Sequence, residues 1–95
     1  MKYTASRIAA LVQGRLLTPG DEQAELEFLV TDSRKIVQAG RSVFFAIRGQ
    51  YQDGHRFISQ AYAAGIRCFV ISDLSAAGVL PEAAVIETED TLAAL

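Results

Sequence analysis

The sequence predicts an α/β domain: a small open sheet with helices packed on it. Three observations carry this. Two short apolar runs, Val43–Ile47 and Ile66–Ile71, have the length of buried strands, about five or six residues. Between them, Phe57, Ile58, Ala61 and Tyr62 recur with a helical period and Gly65 ends it. Strand, loop, helix and strand therefore follow in order, with a crossover long enough for parallel pairing.

Near the N-terminus, Thr4 caps a helix whose apolar positions Ile8, Leu11 and Val12 share one face, with Gly14 as its expected stop. Arg15–Thr18 is a brief strand, and Pro19, Gly20, Asp21 and Glu22 form a turn. Glu25, Leu26, Glu27 and Phe28 alternate before Leu29 and Val30, so residues 25–31 are expected to be a strand that buries first one face and then both. Asp53 is placed to cap the central helix. A looser stretch, 72–81, leads to a last strand over Ala83–Ile86. Thr91 then opens one apolar helical turn, Leu92–Leu95, whose carbonyls lack partners, which predicts that these residues belong to a longer chain.

The bulk properties agree with one domain over residues 1–95. A chain of 95 residues buries somewhat over ~60% of its unfolded surface. With 51% hydrophobic and 21% charged residues it is neither disordered nor collagen-like. The one cysteine, Cys68, makes no disulfide framework within the chain and is expected in the strand core, as are Phe44, Phe45, Phe57 and Phe69. No zinc-ligand cluster stands out. The N-terminal apolar patch is interrupted by Arg7, Gln13 and Arg15 and is too short to span a bilayer, so a reduced, cytoplasmic setting is expected, without a membrane. A net charge of −2 argues against a general nucleic-acid binder. Yet residues 31–72 hold six bases (Arg34, Lys35, Arg41, Arg48, Arg56 and Arg67) against two acids, a central basic surface suited to a small anion, although chance placement on a solvated face would give the same count.

Two polar segments flank the Val43–Ile47 strand, at strand ends where open α/β sheets bind ligands. In the first, Ser33 offers a hydroxyl and Arg34 a fork of donors matched to phosphate oxygens, although Asp32 and Arg34 pairing across a surface turn would have the same sequence. In the second, Gly49 and Gly54 let the backbone approach a ligand, while Gln50, Tyr51 and Gln52 supply amide edges and an aromatic face suited to a nucleobase. An ordinary strand-to-helix connection is the plainer alternative, and His55 is as readily a local helix-end residue as a contact. No Gly-x-x-x-x-Gly-Lys-Ser/Thr loop, Gly-x-Gly-x-x-Gly motif or nucleophile beside His55 occurs, so catalysis by these residues alone is not expected.

The combination of Thr31-Asp32-Ser33-Arg34, Val43-Phe44-Phe45-Ala46-Ile47-Arg48-Gly49 and Asp53-Gly54-His55, with Phe57 and Ile58, resembles the N-terminal domain of the Mur ligases, over roughly Ser6–Leu95. It is most like the members that add D-alanyl-D-alanine to the tripeptide precursor of peptidoglycan, including forms fused to an alanine racemase. The diamino-acid-adding members are the nearer alternative; a non-catalytic α/β domain that binds another anion or a protein is the more distant one. The resemblance implies a holder for the uridine diphosphate end of a UDP-N-acetylmuramoyl-peptide, with Ser33, Arg34, Gly49, Gln50, Tyr51, Gln52, Asp53 and His55 at the pocket. It also implies partner domains in the parent chain, a central ATPase and a C-terminal domain, with ATP and magnesium there, and pyridoxal phosphate only in a racemase fusion. The entry to the central strand departs from the family's Gly-Asp-Leu-Phe type: Gly40-Arg41-Ser42-Val43 is one residue longer and lacks the acid.

Overall fold

Each apolar run forms a strand because burial on a sheet interior is what its residues have in common. The computed structural model describes residues 3–20, 24–31, 38–46, 54–72 and 80–89. Helix α1 (Ala5–Leu11) is followed by strands β1 (Arg15–Pro19), β2 (Phe28–Val30) and β3 (Ser42–Phe45). Helix α2 (Ile58–Ala63) and strands β4 (Cys68–Ile71) and β5 (Ala84–Glu87) complete the described elements. The sheet order is β1-β5-β4-β3-β2, with β2 to β5 parallel and β1 antiparallel on β5. The predicted β3-α2-β4 crossover is therefore present.

Alternation along the inner strands divides the core into two layers. Phe44, Ala46, Phe69, Ile71 and Val85 pack with Ile58 and Ala61 of α2. Val43, Phe45, Cys68, Val70, Ala84 and Ile86 pack on the other face with Ala5, Ile8 and Ala9 of α1. Phe44 and Phe69 meet edge to face, with ring centroids 6.2 Å apart, an arrangement that adds about 1 kcal/mol to their burial. The four expected core phenylalanines are in place, Phe57 as a half-buried flank.

Helix α1 begins as predicted: Thr4 Oγ1 accepts from the Arg7 amide at 3.3 Å. Its end differs from expectation. Gln13, not Gly14, takes the left-handed conformation, at φ 56°. The Gln13 amide donates to the Ala10 carbonyl and the Gly14 amide to that of Ala9, closing the helix with a Schellman pair. Gly14 serves packing instead, because a Cβ there would lie 2.7 Å from the Glu87 carbonyl oxygen. Gly65 does end α2 as expected, at φ 113°.

Strand β2 is shorter and more exposed than the alternation predicts. Leu26 is buried and pairs with Tyr3 in an isolated antiparallel bridge, whereas Phe28 is 40% and Leu29 55% exposed. The reason is position: β2 is the sheet's edge, so Phe28 and Leu29 gain a neighbouring strand on one side only, whereas Val30 reaches the core. Thr91 and the turn after it lie outside the described residues, as do Asp21 and Glu22.

Candidate functional site

Strands β2 and β3 set the geometry of the two polar segments. They run parallel in the register Leu29↔Val43 and Val30↔Phe44, so Thr31 and Ala46 leave the same, carboxyl edge from neighbouring positions, about 5 Å apart in the pairing direction. Ala46 is fully buried, and its amide donates to the Val70 carbonyl at 2.9 Å, fixing the root of the second segment to β4. That segment returns through a 3-10 turn, Gly54–Phe57, which leads into α2. Phe57 rests against the core and Arg56 is exposed.

The structure thus brings the roots of both segments together. Ser33 and Arg34, in 32–37, and Gly49, Gln50, Tyr51, Gln52 and Asp53, in 47–53, lie outside the described residues. His55 belongs to the 3-10 turn at the carboxyl edge. Asp53 immediately precedes that turn, while the N-cap position of the α-helical part is Phe57, which makes no side-chain capping bond.

The expected central basic surface is divided. Arg41 and Arg67 directly precede β3 and β4 and so stand at the amino edge, away from the two segments. Arg41 Nη1 pairs with Glu27 Oε2 at 3.2 Å. Arg67 Nη1 donates to the Tyr62 and Ile66 carbonyls, each at 2.8 Å, and its guanidinium lies 3.8 Å from the centre of the Tyr62 ring. Tyr62 in turn donates its hydroxyl to the Pro81 carbonyl at 2.8 Å and stacks on Phe69. Both arginines are consumed in holding elements together, a use that a charge count along the chain does not register.

Cys68 is a buried strand residue, and burial pushes its thiol up to about 12; a thiol so far from ionisation is a poor nucleophile. Among the described residues no group of three or more His, Cys, Asp or Glu is placed to hold a metal ion. No helix among them is long and apolar enough to cross a membrane.

One concavity was missed by sequence reasoning. A groove of about 450 Å³ runs between α1 and β2, floored by Val43 and Phe45 and flanked by Ile8, Leu11, Phe28 and Leu29. It contains every large apolar side chain that is exposed among the described residues. Leu11 and Leu29 carry no sequence signal of exposure, since each continues an apolar period.

Residues 25–94, which include both polar segments, match the family model described as "Mur ligase family, catalytic domain". The chain belongs to the Mur ligase family. Over its full length this Mur ligase chain is 38% identical to the UDP-N-acetylmuramoyl-tripeptide–D-alanyl-D-alanine ligase of Bacillus subtilis (strain 168), covering 20% of that protein. It is 30% identical, again over its full length and 20% of the relative, to the ligase of the same name from Haemophilus influenzae. A crystal structure of MurF from Acinetobacter baumannii superposes on 98% of the chain with a TM-score of 0.78 at 26% identity, covering 19% of that structure. The Mur ligase chain thus spans about a fifth of the length of these relatives. Its α/β sheet is the fold of the matched MurF region.

Proposed function

We propose that this chain holds the uridine diphosphate end of UDP-N-acetylmuramoyl-tripeptide for an ATP-dependent ligase that adds D-alanyl-D-alanine in peptidoglycan precursor synthesis. The observation that carries this is the full-length similarity to ligases named for that substrate and that addition. The neighbouring roots of the two polar segments support it, because a nucleotide needs donors from two directions at one edge. Ser33, Arg34, Gly49, Gln50, Tyr51, Gln52, Asp53 and His55 are the contacts we assign.

The 95 residues contain no phosphate loop, and the described ones offer no metal cluster. Neither observation points to ATP or magnesium here, and we assign both to the remaining four fifths of a chain of the relatives' length. The contribution of this part is positioning. Holding the nucleotide end of a long substrate lets binding energy remote from the reaction fix where the peptide carboxylate lies, which raises its effective concentration at the reacting centre.

Titration calorimetry with UDP-N-acetylmuramoyl-tripeptide tests the assignment. Binding is expected to weaken by roughly tenfold in Ser33→Ala and in Gln50→Ala, the loss of one hydrogen bond to a ligand each. Heats unchanged by both substitutions would reject the pocket.

A further inference from the structure

We propose that Arg56 is a diphosphate-binding residue of this chain, an assignment that rests on the nucleotide-binding reading above. Of the six bases between residues 31 and 72, Arg41 and Arg67 stand at the amino edge and are engaged by Glu27, by two carbonyls and by the Tyr62 ring. Arg34, Lys35 and Arg48 lie outside the described residues. At the carboxyl edge, Arg15 pairs with Glu87 across β1 and β5 at 3.3 Å. Arg56 differs from all of these. It is exposed, sits on the 3-10 turn Gly54–Phe57, and its side chain has no hydrogen bond or ion pair among the described residues.

Its place follows from the crossover. Helix α2 runs from the carboxyl end of β3 back to the amino end of β4, so the turn that precedes it lies on the carboxyl side. Phe57 packs on the core and Ile58 is buried, which fixes the backbone beneath Arg56 while leaving its guanidinium in solvent. A guanidinium with no partner among the described residues has none of their contacts to give up on binding. It presents a planar fork matched to two oxygens of a phosphate, and each such bond is charge-assisted. The diphosphate carries the ligand's negative charge and the uracil ring does not, so charge-assisted pairing directs a guanidinium at this edge to the diphosphate.

Calorimetric titration of the chain with UDP and with uridine separates these roles. Arg56→Gln is expected to weaken UDP by about tenfold and to flatten the salt dependence of UDP binding while leaving uridine unchanged. Arg56→Lys, which restores the charge without the fork, should recover part of the loss. Arg41→Gln, at the opposite edge, should bind UDP as the unsubstituted chain does. If Arg56→Gln keeps UDP affinity within about twofold while the unsubstituted chain binds UDP, the Arg56 assignment is overturned and the nucleotide reading stands. If the unsubstituted chain binds neither UDP nor uridine, the nucleotide reading falls and takes Arg56 with it.

Discussion

The two faces of the sheet are made from alternate residues of the same strands, yet they are covered unequally. On one face, α2 lies over the middle of the sheet, and Phe44, Phe69, Ile71 and Ile66 beneath it are fully buried. On the other, α1 packs toward β1 and β5, so the β2–β3 side keeps a groove in which Leu11 and Leu29 are more than half exposed. The difference comes from connectivity. A helix that joins two central parallel strands must cross over them, whereas a helix that leads into an edge strand is tied to that edge. Apolar content is similar on the two faces; what covers it is not.

That contrast makes substitutions of similar chemistry unequal. Phe69→Ala, which removes a ring held between Phe44 and Tyr62, should cost about 3–5 kcal/mol, read as a lowered midpoint in urea denaturation with fluorescence or circular dichroism. Gly14→Ala, at the seam where the end of α1 meets β5, should cost about 1–3 kcal/mol by the same measurement, because the new methyl meets the Glu87 carbonyl and the Ile86 side chain. Leu29→Ser, in the open groove, should change stability by no more than about 0.5 kcal/mol. A Leu29 effect approaching that of Phe69 would mean that the second face is closed after all.

Much of the fold is legible in the chain. The parallel β3-α2-β4 unit follows from two short apolar runs around a helical period, because strands buried on both faces have no polar alternation to confuse them. Thr4 as N-cap and Gly65 as a positive-φ stop are local matters of side-chain and backbone chemistry, and both hold. Leu29 and Val30 look alike in sequence, however, and only one is buried. The candidate site is legible to a similar depth: the chain names two polar segments, and the fold adds that their roots are neighbours on one edge. The charge count failed for Arg41 and Arg67, since proximity along the chain says nothing of which edge a residue reaches.

The sequence by itself determined the strand and helix types, the crossover, the family resemblance and the polar segments that carry it, all set by local periodicity and short-range chemistry. Tertiary structure alone decided that β1 pairs with β5, joining Arg15 to Glu87 and making Gly14 a contact point. It also decided that β2 is an edge, and that Arg56, unlike Arg41 and Arg67, stands at the carboxyl edge with no side-chain partner among the described residues. These depend on which distant residues meet, and no local pattern encodes a meeting that the rest of the chain has to arrange.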